Sequence, residues 1–250
     1  MGIANWDKFS EFGNLRSVID PQDERGLKNM LIDRIHWNAL RDHLVDSKSI
    51  LDFGCGVGRF ATRIKAMGIK YAGVDSSQGM IQAAKILNTD NESSFQHFDG
   101  LRIPFPDSSF DAILSCGVFI YILKTSDSSM VFSEIRRALV PGGHLIMLEQ
   151  ASLSGQRSGT VERVLMESDY VSALSTQFEI RSLHKVRSPE FSRLPNWMIK
   201  CKINSPLLFS RMVGPLAKLE SKHVAEASDF YWSMVPYYDF LLDAVLLKKR

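Results

Sequence analysis

Three glycines at alternate positions, directly after an apolar run that contains an acid, are the residues best placed to hold a ligand. The stretch from residue 50 reads Ile-Leu-Asp-Phe-Gly-Cys-Gly-Val-Gly-Arg-Phe, with the acid at Asp52 and the glycines at Gly54, Gly56 and Gly58. This order predicts a strand, a tight turn and the start of a helix. Glycine accepts positive φ and lets a ligand approach the backbone, and a helix N-terminus offers free N–H groups. The pattern predicts a nucleotide-binding turn.

A second apolar run, Tyr71 to Val74, ends in Asp75, which lies 17 residues after Gly58. An acid at the end of the second strand of a doubly wound sheet is placed to accept hydrogen bonds from both ribose hydroxyls. The alternative is an acid that only caps the next helix. Because Ser76 or Ser77 could cap that helix equally well, Asp75 stays available for a ligand.

Strand and helix patterns alternate around these acids. Strands are predicted near 48–53, 70–75, 94–98, 110–116 and 144–149, and helices near 58–67, 77–87 and 127–139. Such alternation favours a parallel sheet with helices on both faces. The residues at 54, 75, 99 and 115 then fall at the carboxyl ends of strands, where open α/β sheets bind ligands.

Five motifs in this order, from residue 50 to 149, resemble those of the class I S-adenosylmethionine-dependent methyltransferases, and in particular the type 11 small-molecule branch. The further motifs are the stretch from Phe95 to Asp111 and the turn Pro141-Gly142-Gly143 before the fifth strand. Proline followed by glycine ends a helix and reverses the chain. The resemblance implies a Rossmann-like sheet of seven strands, mostly parallel, with S-adenosyl-L-methionine as the cofactor and no metal.

The resemblance also implies which residues touch the cofactor. Asp99 would accept from the adenine amino group, Gly100 and Leu101 would present backbone to the ring, and Met80 would pack on it or belong to the core. Asp111 is better interpreted as a loop acid before the fourth strand. The full predicted set is Asp52, Gly54, Cys55, Gly56, Gly58, Phe60, Asp75, Ser76, Met80, Asp99, Gly100, Leu101, Ser115 and Cys116.

A nicotinamide-binding fold is the competing interpretation of the glycine turn. The dinucleotide fingerprint Gly-x-Gly-x-x-Gly requires its third glycine at position 59. Arg59 stands there instead, which disfavours an oxidoreductase.

Candidates for acid–base work are Tyr121, in the loop after strand four, and Glu149, which ends the fifth strand in this prediction. Some relatives carry His near Tyr121, so a base role for the tyrosine is weakened, and Glu149 has the alternative of being a solvated strand-end acid. The histidines at 36, 43, 97, 144 and 223 are expected to lie at the surface, in the core or at the wrong edge. The aromatic cluster Tyr231, Trp232, Tyr237 and Tyr238 is best assigned to the core.

Composition narrows the function further. The chain has 250 residues, 45% of them hydrophobic and 23% charged, with a net charge of +2, which is ordinary for a globular protein and argues against bulk nucleic acid as a partner. The three cysteines show no metal-ligand spacing. Reduced cysteines, no signal pattern and no stretch long enough to span a bilayer predict a cytoplasmic protein without membrane insertion.

The chain is predicted to be one domain with two additions. Residues 1–46 would form an N-terminal helical cap, and residues 47–150 the cofactor-binding core. Within the cap, Trp6, Phe9 and Phe12 would either pack on the domain or form a flap over the cofactor. A helix near 162–176 and strands at 178–186 and 237–247 would follow. Residues 187–236 would then be a helical insertion between strands six and seven, which serves as a substrate lid or a homodimer contact.

Two functions from different classes remain at this point. The first is methyl transfer to an oxygen, nitrogen or carbon atom of a small molecule such as a sugar, a lipid or a secondary metabolite, by in-line displacement. The absence of an Asn-Pro-Pro-Tyr or Asp-Pro-Pro-Tyr motif after strand four lowers the expectation of methylation on nucleic-acid bases. The second is a cofactor-binding protein of this fold that has lost turnover and acts as an assembly or regulatory partner.

Overall fold

The computed structural model describes residues 6–89, 94–125, 127–152, 165–189, 206–227 and 237–247. The strands are β1 (Ser49–Phe53), β2 (Lys70–Asp75), β3 (Ser94–His97), β4 (Phe110–Cys116), β5 (Leu139–Ala151), β6 (Phe178–Arg187) and β7 (Tyr238–Leu246). The helices are α1 (Trp6–Ser10), α2 (Leu27–Leu44), α3 (Ala61–Lys65), α4 (Gln78–Leu87), α5 (Phe119–Ile122), α6 (Ser128–Ala138), α7 (Glu167–Leu174) and α8 (Pro206–Glu226), with a 3₁₀ turn at Asn14–Ser17.

The strands form one seven-stranded sheet in the order β3-β2-β1-β4-β5-β7-β6. Neighbouring strands from β3 to β5 are parallel, and β7 runs antiparallel to both β5 and β6. The predicted doubly wound, mostly parallel sheet with a final antiparallel pair is confirmed. The parallel order requires crossovers, and helices supply them.

The strand register brings the ends of the central strands to one level. Phe53, the last residue of β1, pairs with Val74 of β2 and with Ser115 of β4. The loops that leave these three strands therefore start side by side at the carboxyl edge of the sheet, where ligands bind in open α/β sheets.

Helices cover both faces of the sheet. On one face, Phe53 stacks with Phe119 of α5, which in turn stacks with Phe132 of α6. On the other face, Leu31 and Ile35 of α2 are buried in one cluster with strand residues and with α8. Each strand contributes alternate side chains to the two layers, so both layers hold the edge of the sheet rigidly.

Several element bounds differ from the sequence prediction. Helix α3 begins at Ala61 instead of near residue 58 and has only five residues, because Gly58 has a φ of +71° and lies outside the helical region. The predicted free helix N-terminus in the turn is therefore a minor feature. Helix α7 covers 167–174 within the predicted 162–176, and residues 153–164 lie outside the described part.

Strand β5 begins earlier than predicted because Leu139 already pairs with Phe110 of β4. The next pair is Ala112 with His144, so the predicted Pro-Gly-Gly turn lies within the strand, as an irregularity in which residues 140–143 face a single residue of β4. Beyond the turn, β5 continues to Ala151 beside β7.

Helix α8 lies between β6 and β7, within the predicted insertion. It begins at Pro206, where a proline needs no intrahelical N–H partner, and it continues through Pro215. It packs on α2 and β6. The predicted aromatic residues 231 and 232 and Cys201 lie outside the described part, whereas Tyr238 is fully buried in β7, as the core assignment predicts.

None of the described helices is long and apolar enough to cross a membrane.

Candidate active site

The turn after β1 is held against the end of β2 by backbone hydrogen bonds. The N–H groups of Gly54 and Cys55 both donate to the carbonyl oxygen of Val74, at 2.8 and 2.9 Å. The N–H of Gly56 donates to Oδ2 of Asp75 at 2.8 Å. The predicted glycine turn and the predicted strand-end acid thus meet directly.

Gly56 also lies under the N-terminal segment. Its φ is +53°, and a Cβ built on it would lie 2.5 Å from Cγ1 of Val18, which follows the 3₁₀ turn. Only glycine combines this backbone conformation with so close an approach. The segment before α2 therefore packs on the turn itself.

Two backbone N–H groups donate to the carboxylate of Asp75, but they do not use all of its acceptor capacity. Its Oδ1 accepts from the N–H of Ser77 at 2.9 Å, while Ser77 Oγ accepts from the N–H of Met80 as the N-cap of α4. Burial raises the pKa of Asp75, partly offset by these N–H bonds. Each carboxylate oxygen retains a lone pair, so the carboxylate can accept two further donors at the carboxyl edge.

The loop after β3 lies beside this acid. Strand β3 ends at His97, so Asp99 lies in the loop, where its Oδ1 accepts from the N–H groups of Leu101 and Arg102 at 2.8 and 2.7 Å. These bonds lower the pKa of the exposed Asp99 and leave its second oxygen out of the turn. A Cβ on Gly100 would have Ser76 as its nearest neighbour, at 3.9 Å, so the loops after β2 and β3 border one open space.

Helix α1 lies across this space and touches both of its sides. Asp7 accepts from Ser77 Oγ at 2.6 Å and from the N–H of Gly79 at 2.9 Å, at the start of α4. The ring of Trp6 meets Tyr121 edge-on, with ring centroids 5.6 Å apart. Helix α1 thus bridges from α4 to α5 at the carboxyl edge, where the flap was predicted.

Several of the predicted contact residues are buried below the open edge. Asp52 is buried and accepts from the hydroxyl of Tyr71 at 2.7 Å, and its burial raises its pKa to about 6. Phe60 is 1% exposed and packs against Trp37 with the guanidinium of Arg59 over its ring. Phe60 therefore belongs to the layer between sheet and α2, and Met80 is likewise buried.

At the end of β4, Ser115 and Cys116 differ in their surroundings. Ser115 Oγ is buried, with no hydrogen-bond partner among the described residues. Cys116 Sγ accepts from Arg59 Nη2 at 2.8 Å, and burial raises the pKa of this thiol to about 12. Cys55 is buried too, and burial raises its pKa as well, so both thiols stay protonated and unreactive near neutral pH.

Glu149 is a buried positioning group rather than a solvated acid. It lies in β5, opposite Phe240 of β7, and its two oxygens accept the N–H groups of Val118, Phe119 and Ile120 at 3.0, 3.1 and 3.3 Å. Burial raises its pKa to about 7. These bonds fix the turn that carries Tyr121, whose side chain is 42% exposed. Tyr121 contacts Trp6 of α1, and Glu149 fixes the backbone just before it.

A buried charged network beside this edge escapes prediction from the sequence. Oδ2 of Asp239 is 2.9 Å from Nε2 of His36 and 2.6 Å from Nε of Arg187, while Nδ1 of His36 is 3.2 Å from Nη2 of Arg59. Although burial alone would raise it, Arg187 and His36 hold the pKa of Asp239 below its ordinary value. The network ties α2, the glycine turn, β6 and β7 together.

Among the other predicted histidines, His97 lies beside the site, with its Nε2 3.2 Å from the carbonyl oxygen of Ser76, whereas two others lie elsewhere. His43 and His144 both contact the carboxylate of Asp243, at 3.2 and 2.8 Å, and His144 starts the regular part of β5 at the opposite edge of the sheet. Asp111 accepts from the N–H groups of Lys48 and Ser49 at that edge, which agrees with its interpretation as a loop acid.

Comparison with known families identifies this arrangement. A family described as a methyltransferase domain matches residues 51–147, the segment that runs from β1 to the middle of β5. Residues 51–147 form a class I S-adenosylmethionine-dependent methyltransferase domain. The cofactor of this methyltransferase domain is S-adenosylmethionine.

Individual relatives of the domain agree in fold but differ in their named acceptors. The sterol 24-C-methyltransferase of Pneumocystis carinii is 34% identical over 113 residues, which cover 43% of this chain and 29% of that protein. The structure of geranyl diphosphate C-methyltransferase from Streptomyces coelicolor, in complex with S-adenosyl-L-homocysteine, has a TM-score of 0.59 at 18% identity and covers 98% of both chains. The structure described as the [4+2]-cyclase SpnF has a TM-score of 0.57 at 21% identity and covers 90% of this chain and 94% of that one.

The chain spans from about a quarter to about half the length of the curated relatives it matches. Other relatives are named as demethylmenaquinone methyltransferases and probable tRNA methyltransferases. The acceptor therefore does not follow from the matched segment.

The donors and acceptors at the edge fit S-adenosylmethionine. The spare lone pairs of Asp75 suit two vicinal ribose hydroxyls, and the second oxygen of Asp99 suits an amino group. A Cβ built on Gly100 would have no heavy atom nearer than Ser76 Cβ, at 3.9 Å, so a ring can approach the backbone there. The contacts of the domain with its cofactor remain predictions at the level of single residues.

Proposed function

We propose that this protein transfers the methyl group of S-adenosylmethionine to an oxygen, nitrogen or carbon atom of a small-molecule acceptor. The observation that supports it most is Asp75, which is bonded to the glycine turn and to the start of α4 and still has acceptor capacity toward the open edge. The sulfonium of the bound cofactor supplies an already activated methyl group. The protein's own task is then to orient the acceptor and to exclude water.

Orientation of the acceptor is assigned to the turn that carries Tyr121. Glu149 fixes three consecutive N–H groups before it, so the tyrosine ring has a defined position. Holding two reactants in line at near-contact distance lowers a barrier by about 7–11 kcal/mol. A sugar, a lipid or a secondary metabolite with an apolar face can pack on the Tyr121 ring.

Exclusion of water is assigned to α1 and to the segment after it. Asp7 fastens the helix to α4, Trp6 contacts Tyr121, and Val18 packs on Gly56. Closing a site to water strengthens the electrostatic interactions inside it. We propose that residues 6–18 are a lid over the cofactor and part of the acceptor site.

Incubation with methyl-labelled S-adenosylmethionine and fractionated small-molecule extracts tests the proposal. Label should appear in one acceptor fraction with an equal amount of S-adenosylhomocysteine, and Tyr121→Phe distinguishes two roles for the tyrosine. If its ring only packs on the acceptor, turnover stays within a few-fold; if its hydroxyl moves a proton, turnover falls by about 10²–10⁴-fold.

The second candidate is a protein of this fold that binds the cofactor without transferring its methyl group. It gains support from the structure described as a [4+2]-cyclase, which shares the fold, since a fold alone does not fix a reaction. Stoichiometric binding of S-adenosylhomocysteine together with no label transfer to any fraction would favour this candidate over the first.

A further inference from the structure

A groove between α2 and α8 presents three cationic side chains to one space. The cavity has a volume of about 370 Å³ and is lined by Arg34, Asn38, Arg41, Gly214, Lys218 and Ser221. The lining residues of each helix follow one another at steps of four and three residues, which places them on one face of that helix. None of them belongs to the predicted cofactor set.

The cationic side chains of the groove form few ion pairs with carboxylates in the described part of the chain. Its lining contains no carboxylate, and neither Arg34 nor Lys218 forms an ion pair with any residue in the described ranges. Arg41 has only the exposed Asp42, with Nε 3.4 Å from Oδ1, and such surface pairs contribute little. Arg34, Arg41 and Lys218 are all exposed, so water and salt weaken their mutual repulsion, and an anion between them is attracted by each of them.

We propose that this groove binds a phosphate-bearing ligand. Guanidinium groups bond phosphate oxygens in pairs, a lysine adds a point charge, and the amide of Asn38 supplies neutral donors. A phosphate group carries a charge of about −1.5 to −2 at neutral pH, which matches several cations better than a single carboxylate does. The volume is at the lower end of the range for small-ligand sites, about 300–1,000 Å³.

Gly214 keeps the groove open. A Cβ built on this residue would have no heavy atom within 4 Å, although the residue lies inside helix α8 and on the cavity wall. A larger side chain at 214 would therefore project into the cavity without displacing protein atoms. Gly214→Leu should therefore fill the groove. Because Pro215 follows and disfavours the helical region for a preceding residue with a Cβ, the variant should lose some stability, which thermal unfolding measures.

Titration calorimetry with pyrophosphate at low ionic strength tests the site, with thermal unfolding as the check on folding. The wild type should bind, and the double variant Arg34→Gln with Lys218→Gln should lose at least tenfold in affinity. The matched control is Lys70→Gln with Lys85→Gln, which removes the same charge from β2 and α4 and should change the affinity less than twofold. Gly214→Leu should weaken binding by tenfold or more while it still unfolds cooperatively.

A second arm identifies the source of the phosphate. Co-sedimentation is measured with phosphatidylcholine vesicles that contain or lack phosphatidylglycerol. Sedimentation only with the anionic vesicles, reversed by pyrophosphate and lost in both groove variants, assigns the site to a lipid headgroup, whereas calorimetric binding without sedimentation assigns it to a free phosphate compound. The proposal is overturned if neither probe binds, if the control double variant weakens binding as much as the groove variant, or if Gly214→Leu binds like the wild type. None of these outcomes depends on methyl transfer.

Discussion

Replacing Gly56 by alanine tests whether the N-terminal segment is packed on the glycine turn. The new Cβ would lie 2.5 Å from Cγ1 of Val18 and 3.7 Å from its Cβ. The first distance is a clash and the second is an ordinary contact. Val18→Ala removes Cγ1, and with it the clash, but keeps the Cβ contact. The two substitutions should therefore be coupled.

The expected loss of unfolding free energy in Gly56→Ala has two parts. Alanine at a φ of +53° costs about 1–2 kcal/mol because its Cβ crowds the backbone. Overpacking against Val18 adds about 1–3 kcal/mol, and this part alone disappears in the Val18→Ala background. Gly56→Ala should lower the free energy of unfolding by about 2–5 kcal/mol alone, and by 1–2 kcal/mol once Val18 is alanine.

Urea unfolding of the wild type, both single variants and the double variant gives the coupling directly. Gly68→Ala is the matched control, because Gly68 has a φ of +78° and no neighbour within 4 Å of a built Cβ; it should show the strain without any coupling to Val18. A coupling free energy below about 0.5 kcal/mol, the level of independent sites, would refute the packing of the N-terminal segment on the turn.

Three further predictions concern buried or bonded acids. Asp75→Asn should raise the Kd for S-adenosylhomocysteine in calorimetry by about 10–100-fold, from the loss of charge-assisted bonds of about 1.5–3 kcal/mol. Asp111→Asn, which also neutralises a carboxylate that accepts backbone N–H groups, should leave the Kd unchanged, and an equal loss in both would remove Asp75 from the ribose site. Since burial raises the pKa of Glu149 from 4.5 to about 7, folding favours its protonated form, and that stabilisation, present below pH 4.5, is lost as the pH rises through 7. Wild type should thus lose about 2–3 kcal/mol relative to Glu149→Gln between pH 5 and 8 in urea titrations, and parallel pH profiles would contradict it. Asp239→Asn should destabilise the fold by about 3–5 kcal/mol because it leaves the buried Arg187 charge uncompensated, and adding Arg187→Met should recover part of the loss; a change below 1 kcal/mol in urea unfolding would show that the pair is not buried together.

The sheet could be predicted because its signals are local. Strands β1, β2 and β4 are each a short apolar run next to a glycine, an acid or a turn, and such runs are recognisable without tertiary information. Strand β3, with Phe95 as its one apolar residue, was predictable from the family motif. The same holds for Ser77, which caps α4 as one of the two predicted cap residues. The pairing of β6 with β7 was predictable from alternation and family resemblance together.

The charged network and the role of Glu149 could not be predicted in the same way. His36 and Asp239 are 203 positions apart, and Arg187 lies 52 positions before Asp239, so no local pattern joins them. The sequence around an acid at the end of an apolar strand is the same whether the acid faces solvent or accepts three N–H groups. Burial decides between these, and burial depends on what other parts of the chain bring to the site.

The late start of α3 shows that the conformation of one glycine can override the helical periodicity that follows it. The periodicity after Gly58 favours a helix, but the glycine itself adopts a left-handed φ and delays the helix to Ala61. Propensity gives way where a turn must bring backbone N–H groups to a carboxylate, here Gly56 to Asp75.

The proposed function depends most on the cofactor that occupies the edge beside Asp75. Calorimetric titration of the full chain with S-adenosylhomocysteine, with NADH as the control, tests this directly. Micromolar binding of S-adenosylhomocysteine at one site per chain and no binding of NADH is the predicted result. Binding of NADH instead, or of neither compound by a chain that unfolds cooperatively, would contradict the account.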